Sequence, residues 1–306
     1  MRFEMFIIVL CLFFATNIKA QGFDVGRKTP RKGGVYPVFT EKDYIRGTLN
    51  DKRSCYDVLH YTIDIDVNPG KKHIKGFVDI EFSAVRDFAD IQIDLYENMQ
   101  IDSIVCNTVN LSYSRKFNAV YVHFTDTVRQ GETKTIRCSY SGKPTKAKLP
   151  PWNGGFVWKT SKGGKPWFGV TCEKVGASLW YPCKDHLSDE PDNGATVRIS
   201  VPKGLKVVGN GVLTAHNSLP YKEQFTWNTV YPINNYNITF YAGNFVSYSE
   251  EFQGLDTIFN LQYYVLPEYL EESRKAFTQT ALILHFFENT FGAYPWTNAC
   301  RNYNRF

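Results

Sequence analysis

The stretch from Gly169 to Asp192 contains the densest group of side chains that could do chemistry. It begins as a strand-like sequence and ends in a polar loop, where Asp185 and His186 are adjacent. A histidine beside several carboxylates could act as an acid–base pair or bind an ion. The alternative is a solvated turn whose acidic residues cap strands or face water, and the residues alone favour that turn. The polar side chains of the loop are Lys184, Asp185, His186, Asp189, Glu190 and Asp192.

The histidines do not form a metal-binding motif. The sequence contains no HExxH, and no two of its histidines are four residues apart. His285 and Glu288 are three apart in a helical pattern but lack a third ligand, so we expect an ordinary contact on the helix face. The GxSxG, P-loop and Rossmann glycine patterns are also missing. The sequence therefore predicts no catalytic residue and no metal ligand in this chain.

Two glycine pairs lie beside three tryptophans. Gly154–Gly155 and Gly163–Gly164 occur in a segment that also holds Trp152, Trp158 and Trp167. A phosphate-binding loop would have to lead into a helix, and no helix is predicted there. We therefore interpret the glycines as a mobile hairpin tip. Exposed tryptophans at such a tip could stack on sugars or hold a peptide.

The elements that would position these residues are mostly strands. The chain has 306 residues, 43% of them hydrophobic and 21% charged, with a net charge of +5. These values exclude a disordered or collagen-like protein. No basic block is longer than two or three residues, so nucleic acid is not an expected partner. Aromatic residues make up 16%, which favours strands over helices.

Short alternating runs predict an antiparallel fold. In His60–Val67 apolar and polar residues alternate, Asn68-Pro69-Gly70 follows as a turn signal, and Gly76–Phe82 alternates again, which predicts a hairpin. The spacing of further runs indicates a mainly β protein with a large antiparallel saddle or sandwich. These runs are Ile91–Leu95, Ile101–Cys106, Ala119–Phe124, Lys134–Tyr140, Gly155–Lys159, Trp167–Cys172, Thr196–Val201, Lys206–Val208, Glu223–Val230, Asn237–Tyr241, Phe245–Phe252 and Thr257–Val265.

After Pro267 the pattern becomes helical. Apolar residues recur with helical spacing up to Gly292, which ends the pattern. One amphipathic helix after so many strands suggests that a second domain begins, yet only fourteen residues follow Gly292. We therefore expect a short strand-plus-helix stub and a chain that ends early. The residues expected on the apolar face are Leu270, Phe277, Ala281, Leu284 and Phe287.

The N-terminus has the features of a secretory signal peptide. Arg2 precedes the apolar run Met5–Ala15, and Ala20 offers a cleavage site before Gln21. We expect residues 1–20 to be removed, residues 21–50 to form an irregular leader, and the protein to be exported to the periplasm or the medium. No later stretch reaches the roughly 18 apolar residues that a membrane span requires, so no span is expected after cleavage.

Six cysteines remain after removal of the signal peptide. Their spacing is wide and irregular, and no CxxC occurs, which argues against a cysteine zinc site. An exported protein could form disulfides. We expect mainly small buried residues, with at most one bridge. The cysteines are Cys55, Cys106, Cys138, Cys172, Cys183 and Cys300.

The segment Gly169–Asp192 resembles the aminopeptidase N family of zinc metallopeptidases, peptidase family M1. Cys172-Glu173 precedes the Pro-Cys-Lys-Asp step at Pro182–Asp185 at the interval found in the N-terminal β domain of that family. Four other segments, in the matching order, are also similar to family segments, so the resemblance covers roughly Cys55 to Trp296. These segments are Tyr56–Asp66, Val208–Gly211, Tyr236–Phe245 and Phe286–Trp296.

The resemblance implies a β saddle packed on a thermolysin-like catalytic domain that binds zinc in the full-length family. It implies an N-terminal β domain at 51–253 and the truncated start of a catalytic domain at 254–306. The zinc ligands of the family are absent, so no zinc is expected in this chain. By the resemblance, Glu173 matches an acidic position near the amino terminus of the peptide substrate. Thr171 stands where the family has a glutamine.

Three functions remain open. The first is the N-terminal portion of an exported zinc aminopeptidase, inactive alone and lacking its catalytic domain. The second is a standalone binding module for glycans or peptides that uses Trp152, Trp158 and Trp167. The third is a scaffold for a separately encoded catalytic chain, whose mark would be an exposed apolar patch on the helix at 270–291.

Overall fold

A computed structural model describes residues 38–295, which form four sheets and a helical C-terminal segment. The mainly β fold that the sequence predicts is confirmed. The strands are β1 Tyr56–Asn68, β2 His73–Ala84, β3 Phe88–Asp94, β4 Met99–Cys106, β5 Val109–Asn110, β6 Ser112–Lys116, β7 Ala119–Val128, β8 Thr133–Gly142, β9 Gly155–Thr160, β10 Pro166–Thr171, β11 Ala195–Pro202, β12 Lys206–Gly209, β13 Val212–Ser218, β14 Lys222–Thr229, β15 Phe240–Gly243, β16 Val246–Gln253 and β17 Ile258–Val265.

The helices are short. They are α1 Glu41–Gly47, α2 Asp51–Ser54, α3 Leu270–Ala276 and α4 Thr280–Phe291, with single 3-10 turns at Ala177–Leu179, Asn235–Asn237, Pro267–Tyr269 and Phe277–Gln279. The helix α1 lies inside the segment that the sequence predicts to be an irregular leader. Residues 1–37, which include the predicted signal peptide, lie outside the described residues, as do Trp296 and the remaining C-terminal residues.

The largest sheet has eight strands in the order β13-β14-β11-β1-β2-β8-β4-β5. The others have the orders β12-β15-β10-β9, β3-β7-β6 and β16-β17. Every strand pair in the described residues is antiparallel except β1 with β11. The antiparallel prediction therefore has one exception, at the centre of the main sheet. A parallel partner needs a long crossover connection, which short-range alternation does not reveal.

The predicted β1–β2 hairpin is present. Tyr61, Ile63 and Ile65 of β1 are at most 1% exposed, while the intervening polar residues are half-buried. The turn is closed by the Asn68 side chain, whose Oδ1 accepts a hydrogen bond from the backbone N–H of Lys71 at 3.0 Å. Alternation predicted this hairpin because one face of each strand packs into the core.

Three strands and part of the helical segment differ from the prediction. The strands β5, β6 and β13 are mostly exposed and polar, so they carry no apolar alternation. The predicted strand Asn237–Tyr241 begins as a 3-10 turn and becomes a strand at Phe240. The predicted single helix is divided into α3 and α4, with a 3-10 turn at Phe277–Gln279 between them.

The apolar face expected on this helix is only partly covered: Leu270, Ala281 and Leu284 are half-buried, and the two phenylalanines are exposed. Phe277 and Phe287 are 40% and 49% exposed, whereas the buried helical side chains are Ser273 and Glu288. Within the described residues, no helix is long and apolar enough to cross a membrane. The five cysteines of this part of the chain are all buried free thiols, so no bridge joins them.

Candidate functional site

The segment from Gly169 to Asp192 passes through the protein interior. Trp180, Tyr181 and Cys183 are fully buried, and Lys184 and Asp189 in the polar loop that follows are also buried. The interpretation of that loop as a solvated turn is therefore wrong for Lys184 and Asp189, whereas Glu190 and Asp192 are exposed. The carboxylates of Asp185 and Asp189 have structural partners in the fold. The exposed residues of the segment are Glu173, Lys174, Leu187, Ser188, Glu190 and Asp192.

Asp185 holds the 3-10 turn at Ala177–Leu179. Its carboxylate accepts hydrogen bonds from the backbone N–H groups of Ala177 and Ser178, both at 3.2 Å, and from the Ser178 hydroxyl at 2.6 Å. Gly176 makes this approach possible, since a Cβ there would lie 2.2 Å from Asp185 Oδ2 and its φ is +80°. Asp185 therefore stabilises the backbone conformation of this segment.

A buried ion pair attaches the end of the segment to β1. Lys184 Nζ pairs with the Asp189 carboxylate and donates to the backbone carbonyl of Tyr56 at 2.6 Å. Asp189 also accepts from the backbone N–H of Val58 at 3.3 Å. Burial raises the pKa of Asp189, and the Lys184 ammonium opposes that shift. A buried charge without a partner would be costly, so the two residues depend on each other.

A second buried ion pair lies next to the first. Arg53 Nη2 contacts Asp94 Oδ2 at 2.7 Å, and Arg53 Nη1 donates to three backbone carbonyls between Ile45 and Thr48 at 2.8–3.1 Å. Asp94 also accepts from Gln92 Nε2 at 3.0 Å and from the backbone N–H of Asp185 at 3.2 Å. Burial raises the pKa of Asp94 to about 6 although Arg53 lowers it.

His186 does not form an acid–base pair with Asp185. Its Nδ1 lies 2.8 Å from the Ser188 hydroxyl and accepts from the backbone N–H of Ser188 at 3.1 Å. Burial, followed by the nearby Arg53 charge, lowers its pKa. Between residues 38 and 295 no group of three or more His, Cys, Asp or Glu side chains could hold a metal ion. The described residues therefore do not fit a zinc ion.

Glu173 lies in a tight turn directly after β10. The carbonyl of Cys172 accepts from the N–H groups of Val175 at 3.1 Å and Gly176 at 2.9 Å. The carbonyl of Glu173 accepts from the N–H of Gly154 at 3.0 Å. The backbone of the turn is thus fixed, while the Glu173 side chain is exposed and has no ion pair or hydrogen-bond partner among the described residues. The geometry presents a carboxylate to solvent from a rigid support.

Thr171, the other predicted site residue, ends β10 and pairs with Gly155 of β9. Its hydroxyl is buried and has no hydrogen-bond partner among the described residues. Gly154 packs against this turn so closely that a Cβ would lie 2.5 Å from the Thr171 carbonyl oxygen and 2.9 Å from that of Glu173. Gly154–Gly155 is therefore a close-packed support, and its interpretation as a hairpin tip is wrong.

Gly163–Gly164 does lie in the β9–β10 hairpin turn, where the N–H of Gly164 donates to the Ser161 carbonyl at 3.0 Å.

The three tryptophans differ in their exposure to solvent. Trp152 is 66% exposed, whereas Trp158 is half-buried with its ring centroid 5.0 Å from that of Phe156. Trp167 is also half-buried and lines a groove. A shared exposed stacking surface is not formed.

His285 and Glu288 have separate contacts, as expected for a helix face. The His285 ring lies 4.7 Å from the ring of Phe252. Glu288 is 4% exposed and accepts from the backbone N–H groups of Leu255 at 3.2 Å and Tyr294 at 3.0 Å. Glu288 therefore joins the end of α4 to the turn between β16 and β17.

Sequence reasoning missed Arg53, Asp94 and the support role of Gly154. Arg53 and Asp94 are 41 residues apart, and neither lies in a motif. The only local signal near Gly154 was the doubled glycine, which is compatible with both a turn and a close backbone approach.

Comparisons with known proteins agree with this architecture. The family model of the peptidase M1 N-terminal domain matches residues 57–236. A solved structure of a mutant M1 zinc metallopeptidase from Deinococcus radiodurans is 23% identical, with a TM-score of 0.64, and the match covers 78% of this chain and 54% of that one. A structure of such a mutant bound to a Tyr-Ser-Ala substrate has the same values.

A two-domain M1 zinc metallopeptidase mutant bound to L-arginine is also 23% identical, with a TM-score of 0.63 and coverage of 78% and 54%. At this identity the similarity shows the fold. The chain spans about half the length of these solved structures. No curated protein sequence matches the chain.

Proposed function

The chain belongs to the peptidase M1 family, and from this premise we propose that it is the N-terminal portion of an exported zinc-dependent aminopeptidase. The observation that carries the proposal is the match over residues 57–236, together with the position of Glu173 at the end of β10. The substrate class would be peptides with a free amino terminus, consistent with the Tyr-Ser-Ala and L-arginine complexes of the similar structures.

Glu173 would bind the ammonium group of the substrate. A carboxylate without a partner on a fixed turn can form a charge-assisted hydrogen bond with an ammonium group at little cost in ordering. Thr171 would act from below this contact, because its hydroxyl is buried at the end of β10. Gly154 supports both by holding the turn backbone.

The described residues supply no zinc site, so the metal chemistry would come from polypeptide outside them. We therefore expect the purified 306-residue chain to bind no zinc stoichiometrically and to cleave no aminoacyl substrate. The measurement is turnover of aminoacyl-4-nitroanilides with added zinc, with and without a chelator. Chelator-sensitive turnover by the pure chain would contradict this part of the proposal.

The enzyme itself is tested by purification from the natural source. Aminopeptidase activity and zinc should co-purify with a polypeptide that yields peptides of this chain and is longer than 306 residues. Export predicts that its amino terminus is Gln21. An active, zinc-containing product of 306 residues or fewer would contradict the proposal that the zinc site lies in additional polypeptide. An amino terminus at Met1 would contradict export.

In that active protein, Glu173→Gln tests the substrate contact. Loss of a hydrogen bond to a charged group costs about 1.5–3 kcal/mol, so kcat/KM should fall about 10- to 100-fold, mainly through KM. Glu271→Gln is the matched control, since Glu271 lies exposed in the first turn of α3. Equal kinetics for the two variants would refute the role of Glu173.

One observation favours a second function, that of a scaffold for a separately encoded catalytic chain. The helix α4 exposes a cluster of large apolar side chains, an arrangement typical of an interface. Co-purification of a second polypeptide, lost on Phe286→Ser but not on Thr290→Ser, would support this function. The exposed residues are Leu282, Ile283, Phe286, Phe287 and Phe291, between 45% and 79% exposed.

A further inference from the structure

A groove of about 530 Å³ lies where β10 and β15 face β17 and α3. Its volume is in the range of small-molecule sites. It is at the beginning of β10, whereas Thr171 and Glu173 are at the end of that strand. At about 3.3 Å per strand residue, Trp167 and Thr171 are roughly 13 Å apart. The groove is thus separate from the proposed peptide site. Its aromatic lining residues are Trp167, Tyr241, Phe245, Tyr264, Tyr269 and Phe277.

One acidic side chain lines this aromatic groove. Glu272 belongs to the first turn of α3 and has no ion pair or hydrogen bond with any residue between 38 and 295. Aromatic ring faces carry negative potential, and a carboxylate adds a full negative charge. The lining therefore favours a positively charged ligand with an apolar body.

The ring of Tyr269 already contacts a cation of the protein itself. Lys162 Nζ lies 4.9 Å from its ring centroid, while Glu268 accepts from the backbone N–H of Lys162 at 2.6 Å. The Tyr269 ring thus already attracts an ammonium group, and Lys162 would compete with a ligand for this face. Glu272 is the one charged residue among those that line the groove, so the lining itself carries a negative charge.

We propose that this groove binds an organic cation with a methylated ammonium head group. Metal ions would require several oxygen ligands, which the lining does not offer. An anion would meet Glu272 and the ring faces. A bulky ammonium group, weakly hydrated and apolar on its surface, fits both the rings and the carboxylate.

The test uses the full chain, choline, and its neutral carbon isostere 3,3-dimethyl-1-butanol. Binding is measured by calorimetry and by tryptophan fluorescence. A cation–π contribution of about 0.5–2 kcal/mol corresponds to about 2- to 30-fold, so choline should bind about 2- to 30-fold more tightly than the isostere. Equal binding of the two would identify a merely apolar groove and overturn the proposal, as would no binding of either.

Variants assign the contacts. Glu272→Gln should weaken choline binding several-fold, whereas Glu271→Gln on the same helix should not. Tyr269→Phe should retain binding and Tyr269→Leu should lose it, while Lys162→Met should strengthen it by freeing the ring. Circular dichroism checks that each variant folds. Equal effects of Glu272→Gln and Glu271→Gln would overturn the proposal. No readout involves peptide cleavage, so this test is independent of the proposed aminopeptidase function.

Discussion

The substitution Asp94→Asn tests whether the buried Arg53–Asp94 pair stabilises the fold at neutral pH. Burial raises the pKa of Asp94 from 3.8 to about 6, despite the guanidinium at 2.7 Å. The folded protein therefore holds this proton more tightly than the unfolded chain does. The stability contributed by the neutral carboxyl is fully present below pH 3.8 and is lost as the pH rises through 6.

The size of the effect follows from the two pKa values. At about 1.4 kcal/mol per tenfold change in proton affinity, the loss amounts to about 3 kcal/mol, of which about 2 kcal/mol falls between pH 4.5 and 7.5. Asparagine is close in shape to the neutral carboxyl and does not ionise. Relative to the natural protein, Asp94→Asn should therefore gain about 2 kcal/mol of stability over that interval.

Urea unfolding at pH 4.5 and 7.5, followed by tryptophan fluorescence, measures this difference. Removal of one partner of a buried ion pair can instead cost about 3–5 kcal/mol. A loss of that size at pH 7.5, growing with pH, would refute the reasoning and show that the ion pair outweighs burial. Asp87→Asn is the control with the opposite sign, because hydrogen bonds from Gln130 and Arg129 lower the pKa of Asp87.

Three further predictions concern the supports of the site. Gly176→Ala should lower the free energy of unfolding, measured by chemical denaturation, by about 2 kcal/mol or more, because its Cβ would clash with Asp185 and its φ is +80°. In the same measurement, the control Gly163→Ala should change it by less than about 0.5 kcal/mol. Glu288→Ala should lower it by about 1–3 kcal/mol and speed proteolysis near Leu255, because two backbone N–H groups lose their acceptor. Iodoacetamide at pH 8 should leave Cys172 unlabelled in the native protein, as mass spectrometry would show, because burial raises its pKa to about 12.

Each of these has a contradicting result. Equal stabilities of the two glycine variants would show that the turn before Ala177 adapts to a side chain. Unchanged cleavage of Glu288→Ala would mean that other contacts hold the β16–β17 turn. Native labelling of Cys172 at the rate seen in urea would show that the interior around it opens readily.

The sequence predicted those parts of the fold that rest on local patterns. The β1–β2 hairpin followed from alternation, and the position of Glu173 after a strand followed from the β-rich run before it. The functions of the acidic residues after Pro182 could not be predicted. Their partners are distant in sequence: Lys184 contacts Tyr56, 128 residues away, and Val58 donates to Asp189, 131 residues away. Composition shows a charged loop, but only the fold brings its charges into the interior.

The exposure of α4 was also unpredictable from periodicity. A helical pattern shows which residues share a face but not what that face contacts. In the structure Phe287 is 49% exposed, whereas Glu288 is buried and accepts hydrogen bonds from two backbone N–H groups, near the β16–β17 turn and at the helix end.

The single parallel pairing at the centre of the main sheet has a consequence for biosynthesis. Asp64 of β1 pairs with Arg198 of β11, 134 residues later in the chain. At translation rates of about 5–20 residues per second, the free edge of β1 waits roughly 7 to 27 seconds for its partner after it is made. During that time β2 and β8 can complete one half of the sheet, and the open strand edge is a place for aggregation or chaperone binding. The main sheet thus stays open at β1 until the chain has been made as far as β11.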